Sequence, residues 1–407
     1  MVRLRSLIIL CFLSHSLFGH EAELVKSMNT TGIFVYYILD KNQNTVISPL
    51  SLTSSLLLAY MGARGETAKE MASALSLTLP QDEVGKAYAE IHKYLTGGLG
   101  TILMGNSIWV DGQVQVFPSY IEMAKEDFFA KVKMVDFQNP VKAIHDINTW
   151  VANHTKNKIT EFLQPSEISP SDKLILLNGL YVTGSWRYPF PTERSGVEPF
   201  LTQSGQSINA QMMNQKNVFP YFENEETQVL ILPLENLNAS LGLALFLPKK
   251  RQSELFNFYY TKDESKPDGF LSYLEQTKPT YMDVTIPKFL IAQKLKVTGL
   301  LGSIGIKLAT STNADFSGID GKKDLMISKA AQQCVISINE GGLFASAGSG
   351  TTFSLKSTPP GEPTARFKAN RPFLYALVDF KTQLLLFIGE CLDPTQTEIK
   401  VTESKNR

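Results

Sequence analysis

Apolar and polar positions follow two different periods along this chain of 407 residues. Three early segments, 48–75, 82–96 and 141–159, have apolar residues at the three- and four-residue spacing of amphipathic helices. Ser48 is a suitable N-cap for the first of them, and Pro49 would take the first helical position. Later segments are short and strand-like: LILLNGLYVTGSW, TQVLILPL, LGLALFLP, YMDVTIPKF, CVISI, FLYALV and LLLFIG. The pattern predicts an α+β fold, with no linker that divides the chain into two domains.

One segment, residues 339–367 with the sequence NEGGLFASAGSGTTFSLKSTPPGEPTARF, combines the composition of a loop with the pattern of a strand. It is rich in Gly, Ala, Ser and Thr, as a flexible linker is, yet strand-like segments bound it on both sides. Every second side chain from Leu343 to Leu355 is small or apolar, and the intervening ones, apart from Phe344, are small or polar. The segment is therefore predicted to be a loop that can become a sheet strand. Chance alternation within a linker is the alternative.

The N-terminal sequence MVRLRSLIILCFLSHSLFG is typical of a secretory signal peptide. Arg3 and Arg5 precede an apolar run from Leu7 to Leu13, and small residues follow. The run is much shorter than the ~20 residues that a membrane anchor needs. We expect a signal peptide over residues 1–19 and a secreted mature chain over 20–407 that has no membrane span.

The predicted secretion bears on two kinds of residue, the asparagines of glycosylation sequons and the cysteines. Asn29, Asn153 and Asn238 each begin an Asn-x-Ser/Thr sequon and are predicted glycosylation sites. Once Cys11 has left with the signal peptide, only Cys334 and Cys391 remain. Both lie in apolar, strand-like segments, so we expect buried free thiols.

Charge and motifs exclude several classes of function. Lys+Arg and Asp+Glu both number 39, and this balance argues against nucleic acid or an anionic membrane as the main partner. The sequence contains no HExxH, GxSxG, P-loop or CxxC motif. We therefore predict that the protein is not an enzyme, and we predict no metal and no cofactor.

Several motifs, in order along nearly the whole mature chain, resemble those of the serpins, the serine-protease-inhibitor superfamily. They are NTVISPLSLTSSLLLAYMGARGET, INTWVANHTKNKI, LILLNGLYVTGSW, NADFSGI, LMISKAAQQCVISINEGG and FKANRPFLYAL. The resemblance implies a single domain of three β-sheets and eight or nine helices. It also implies that the segment at about 340–367 is the exposed reactive loop.

The same resemblance implies a mechanism and a partner. A target serine protease attacks the loop as a substrate and forms an acyl-enzyme through its own serine. The cleaved loop then enters the large sheet as an extra strand, which releases strain stored in the uncleaved protein. The expected product is a covalent complex between the protease and a monomeric inhibitor.

The resemblance also assigns roles to single residues of this sequence. Counting from Glu340 at the head of the hinge places the scissile bond at Lys356–Ser357, and a lysine there suits a trypsin-like protease. The hinge is assigned to Glu340, Gly342, Leu343, Phe344, Ala345 and Ala347. The sheet-opening cluster is assigned to Ser48, Ser51, Asn178, Gln332 and Trp186, with Gln332 in the position where the family has a histidine.

The loop departs from the family pattern in its length. It is about five residues longer than usual between Lys356 and the NRPF motif, and residues 357–366 are interpreted as slack. The Arg366–Phe367 bond offers a second trypsin-like site, and Phe353 or Leu355 would suit a chymotrypsin-like protease.

The hinge also departs from the family pattern, since Leu343 and Phe344 are bulky where inhibitory serpins have small or polar residues. These two residues, together with Gln332, favour an alternative function, a non-inhibitory serpin that acts as a carrier or binding protein. The small residues that follow, Ala345 to Gly348, favour insertion and hence inhibition.

Overall fold

The computed structural model describes residues 19–39, 42–97, 102–154, 161–235, 240–250, 271–344, 361–397 and 399–402. Several predicted features lie outside the described residues. They are the signal peptide up to residue 18, the sequon at Asn238, and loop residues 345–360, which include Ala345, Ala347, Lys356 and Ser357.

The helices of the described residues lie mainly in the first half of the chain, as the periodicity predicted. They are α1 (His20–Ile38), α2 (Pro49–Gly62), α3 (Gly65–Ala74), α4 (Gln81–Thr96), α5 (Pro118–Glu126), α6 (Pro140–His154), α7 (Ser272–Glu275), α8 (Thr298–Leu301) and α9 (Ser317–Asp320). The α2 helix begins as expected. Pro49 takes its first position, and the Ser48 hydroxyl accepts a hydrogen bond from the Ser51 amide at 3.0 Å.

The strands in chain order complete the α+β fold. They are β1 (Thr45–Ile47), β2 (Ile102–Asp111), β3 (Ala130–Val135), β4 (Leu174–Val182), β5 (Gly184–Ser185), β6 (Gly196–Leu201), β7 (Ser207–Glu223), β8 (Thr227–Pro233), β9 (Leu241–Pro248), β10 (Lys278–Pro287), β11 (Phe289–Lys296), β12 (Ile327–Asn339), β13 (Gly342–Leu343), β14 (Ala365–Lys368), β15 (Phe373–Asp379), β16 (Leu384–Cys391) and β17 (Ile399–Thr402).

Hydrogen bonding joins the described strands into two sheets. The eight-stranded sheet has the order β17-β11-β12-β4-β2-β3, with β13 also paired to β12 and β5 paired to β13. The other sheet has nine strands in the order β1-β16-β15-β9-β8-β7-β10-β14, with β6 also paired to β7. The long β7 strand accounts for the continuity of this second sheet. Its first part pairs with β6 and β10, and its last residues pair with β8.

Apolar side chains pack on both faces of the eight-stranded sheet. The larger core cluster includes residues of α1, α2 and α4 together with residues of both sheets. A smaller cluster lies between α6 and the opposite face, and it contains Trp150 from α6 with Ile175 and Leu177 from β4 and Val335 from β12. The central strands β4 and β12 are thus covered on both faces, which explains the nearly continuous apolar sequence of β4.

The predictions about the cysteines and about a membrane span can be compared with the structure. Cys334 and Cys391 are buried free thiols, as expected. Among the described residues, no helix is long and apolar enough to cross a membrane.

The structure contradicts glycosylation of Asn29. Its side chain is buried in α1, donating to the Gln383 carbonyl at 2.8 Å and accepting from the Leu385 amide at 3.0 Å. A glycan cannot be attached to an amide enclosed in this way. Asn153, near the end of α6, is exposed and remains a predicted site.

Candidate functional site

The first residues of the loop form a short strand at the top of the eight-stranded sheet. In β13, Leu343 pairs with Ile338 of β12 on one side and with Gly184 of β5 on the other, antiparallel in both cases. Gly342 is required here, because its φ is +142° and a Cβ atom at this position would overlap the carbonyl oxygen of Gly184. The hinge therefore already stands between two strands of the sheet.

Glu340, the residue before the two glycines, has a buried carboxylate. It accepts from Lys288 Nζ at 2.5 Å and from Ser195 Oγ at 2.7 Å. Burial acts to raise the pKa of Glu340, but the hydrogen bonds from Lys288 and Ser195 outweigh it, so the pKa lies below its usual value. An ionised, fully partnered Glu340 anchors the start of the hinge to the end of β10.

Trp186 lies against the same turn. Its backbone amide donates to the Gly341 carbonyl at 2.9 Å, and its indole Nε1 donates to the Asn339 carbonyl at 2.8 Å. Trp186 was assigned to the sheet-opening cluster, but its described hydrogen bonds are to Asn339 at the end of β12 and to Gly341 in the turn before β13. Trp186 therefore holds the turn that leads into the hinge.

The other members of the sheet-opening cluster come together beneath the sheet, all of them buried. Gln332 of β12 contacts the backbone of Ser48 at the start of α2. The Ser51 hydroxyl in the first turn of α2 donates to Asn178 Oδ1 on β4. One helix end therefore connects β12 to β4, the two strands between which an inserted loop would have to enter.

The network extends to residues that the sequence did not indicate. Asn178 Nδ2 donates to Ser54 Oγ at 3.0 Å and also contacts Asn106 Oδ1 on β2. Asn106 Nδ2 in turn donates to the Tyr88 hydroxyl of α4 at 3.0 Å. Two sequence features could have indicated these residues: Ser54 follows Ser51 by one helical turn, and Asn106 interrupts an apolar strand.

Below the hinge, β4 and β12 are paired directly with each other. Their parallel register runs from Leu174 opposite Ile327 to Leu180 opposite Cys334. The sheet is therefore closed over this length, and α6 packs over it through the smaller cluster. Any strand that continued β13 would have to separate β4 from β12.

Comparison with known proteins identifies the family. A family model described as Serpin (serine protease inhibitor) matches residues 27–394. The chain belongs to the serpin family. A serine protease inhibitor of Cyanea capillata is 31% identical over 356 residues, which is 86% of this chain and 93% of that protein. Serpin-12 of Manduca sexta has a TM-score of 0.79 at 21% identity and covers 93% of this chain and 99% of its own. Human thyroxine-binding globulin has a TM-score of 0.81 at 21% identity and covers 92% of this chain and 99% of its own.

The far end of the loop in this serpin is more ordered than the slack predicted for residues 357–366. The chain is held from Thr364 onward, since the Thr364 amide donates to the Tyr281 carbonyl at 2.9 Å, and β14 begins at Ala365 and pairs in parallel with β10. The prediction of slack was therefore wrong for residues 364–366.

The β14 strand also excludes one of the candidate scissile bonds. Arg366 and Phe367 both lie within β14, where Phe367 is fully buried and the Arg366 carbonyl accepts from Gln228 Nε2 at 3.0 Å. A protease must bind several residues on each side of the bond in extended form, which a paired and buried strand does not allow. The Arg366–Phe367 alternative is therefore incompatible with the folded serpin.

Proposed function

We propose that this serpin is a secreted suicide inhibitor of a trypsin-like serine protease, cleaved at the Lys356–Ser357 bond. The mature chain, residues 20–407, acts as one monomeric domain. Its homology to serpins named as protease inhibitors supports the class of function. The lysine at the counted position supports the trypsin-like target.

The proposed chemistry belongs to the protease. Its serine oxygen attacks the carbonyl carbon of Lys356, the peptide bond to Ser357 breaks, and Ser357 leaves as an amine with the proton passed on by the catalytic histidine. The product is an ester between the protease and Lys356. Hydrolysis of that ester would release an active protease, so inhibition depends on how fast the freed segment enters the sheet.

The position of β13 is the single observation that best supports insertion. Leu343 already has an antiparallel neighbour on each side, so every residue added to β13 would gain two antiparallel partners. Insertion would break the hydrogen bonds of the one parallel ladder between β4 and β12. Antiparallel pairing is slightly the more stable, and each net hydrogen bond contributes about 0.5–1.5 kcal/mol. Insertion is therefore downhill once cleavage has freed the strand.

The sheet-opening cluster supports the same proposal, because it lies where β4 and β12 must part. Ser51 contacts Asn178 on one strand, and Ser48 contacts Gln332 on the other. These side chains and backbone groups can exchange partners with one another or with an entering backbone. If the contact between α2 and the sheet were purely apolar, the backbone amides that an opening sheet exposes would find no hydrogen-bond partners there.

A panel of serine proteases tests the proposal. With a trypsin-like member we expect an SDS-resistant complex and a released peptide whose N-terminus is Ser357. The Lys356→Ala variant should lose the complex, and the Arg366→Ala variant, altered in the paired strand β14, should retain it. Cleavage without a complex would contradict inhibition, and an N-terminus at residue 354 or 356 would instead assign the bond to Phe353 or Leu355.

A non-inhibitory carrier is the second candidate, favoured by the bulky Leu343 and Phe344. Human thyroxine-binding globulin, whose name states what it binds, shares the fold at an identity that supports no more than the fold. The discriminating measurement is the melting temperature after loop cleavage. A carrier whose loop does not insert gains no stability when the loop is cut.

A further inference from the structure

Phe344, the last hinge residue that the structure describes, has an unusual backbone conformation. Its φ is +47°, in the left-handed region that bulky residues rarely adopt. Its amide nevertheless donates to the Ser337 carbonyl of β12 at 3.0 Å, beyond the last paired residue of β13. The hinge is thus still attached to β12 at the point where it stops being a strand.

The two bulky hinge residues contact opposite faces of the sheet. Leu343 is 1% exposed and belongs to the larger core cluster. Phe344 packs against the smaller cluster on the α6 side, where its ring lies 5.0 Å from the ring of Tyr181 at an angle of 41°. Since the two clusters lie on opposite faces of the sheet, the pair holds the hinge from both sides.

The backbone of Phe344 does not fit a strand. A residue of an inserted strand needs φ near −120 to −140°, so Phe344 must change its conformation before β13 can lengthen. A left-handed φ at a residue other than Gly is strained and persists only where surrounding contacts compensate for it. The Tyr181 contact and the Ser337 hydrogen bond are the described contacts that can do so.

We infer that the contact between Phe344 and Tyr181 keeps the hinge partly inserted in the uncleaved serpin and stops it there. The hinge then has two alternatives to the observed state, release to solvent or continued entry. Either one requires Phe344 to leave Tyr181. This contact therefore regulates how much of the loop stands free of the sheet, and it does so whether or not the serpin inhibits a protease.

Hydrogen exchange of the uncleaved, full mature chain tests this inference directly. The amides of Phe344 and Trp186 should be protected, because both donate to backbone carbonyls at the hinge. In Phe344→Glu, the carboxylate cannot remain against Tyr181 and the smaller cluster. We expect exchange at residue 344 and at Trp186 to become at least tenfold faster. Exchange of the wild-type amides at the rate of an unstructured chain would overturn the inference.

Two further variants separate release of the hinge from general misfolding. Gly342→Ala leaves Phe344 intact but places a methyl group against Gly184, so the same amides should lose protection. The control for it is Gly196→Ala, where a Cβ meets nothing within 4 Å. The control for Phe344→Glu is Phe129→Glu, since Phe129 also has a positive φ, 50°, but lies outside the hinge. Equal loss of protection in variants and controls would contradict a specific role for the hinge contact.

A double-mutant cycle tests the pair itself. Phe344→Ala and Tyr181→Leu should each speed exchange at residue 344, and the double variant should exchange no faster than the more affected single variant. Such non-additivity is expected only of side chains that act through one shared contact. Additive effects would show that Phe344 is held by something other than Tyr181.

Discussion

The side-chain amide of Gln332 forms two hydrogen bonds with the backbone of Ser48. Its Oε1 accepts from the Ser48 amide at 3.1 Å, and its Nε2 donates to the Ser48 carbonyl at 2.9 Å. All of these groups are buried, so β12 is attached to the first turn of α2 without any group that titrates near neutral pH. The bonding capacity of the family's histidine is thus met here by an amide.

Gln332→Ala should destabilise the folded chain. The Ser48 amide would remain buried without its partner, and such a group costs about 1–3 kcal/mol. Chemical denaturation measures the change in the free energy of unfolding. The control is Gln333→Ala on the opposite face of β12, because Gln333 is equally buried while its Oε1 has no hydrogen-bond partner among the described residues. A larger loss at Gln333 than at Gln332 would contradict this account of the cluster.

Lys288→Met should destabilise the hinge more than Glu340→Gln. Glu340 is the buried partner, with 7% of its side chain exposed against 35% for Lys288. Removing the lysine leaves a buried carboxylate with Ser195 as its remaining described side-chain partner, whereas removing the charge of Glu340 leaves an ammonium group that water can reach. Melting temperatures of the two variants measure the difference. Lys216→Met is the control, since its partner Glu362 is 90% exposed and the pair should contribute little.

Acid should destabilise the chain through His92 of α4. This ring is 8% exposed and stacks on Phe129 at a centroid distance of 3.8 Å, and burial lowers the pKa of His92 from 6.5 to about 4. Between pH 4 and pH 6.5, the His92 ring binds a proton in the unfolded chain but not in the folded chain. The free energy of unfolding therefore has its full value above pH 6.5, and it falls as the pH approaches 4.

Urea denaturation between pH 7 and pH 4 measures this effect. At about 1.4 kcal/mol per pKa unit, a pKa lowered from 6.5 to about 4 predicts a loss of about 3 kcal/mol from this ring by pH 4. His92→Gln should remove that part of the acid sensitivity. The control variant is His20→Gln, at a histidine whose side chain is 51% exposed. Identical pH profiles for wild type and His92→Gln would contradict the assignment.

Local pattern predicted the α+β fold class and the cap at Ser48, because each depends on residues close together in the chain. The extended network could not be predicted in this way. Asn106 and Asn178 face each other only because β2 and β4 pair antiparallel in one particular register. The conformation of Phe344 was also unpredictable, since it depends on Tyr181, which the sequence places far from the loop.

The central proposed event is the entry of the cleaved loop into the sheet between β4 and β12. The most direct measurement is the melting temperature of one preparation before and after a single cut at Lys356–Ser357. We predict a clear rise after the cut in wild type, and no rise in Ala347→Arg, whose charge could not be buried between the two strands. A cleaved wild-type chain that melts at or below the temperature of the intact one would contradict the claim.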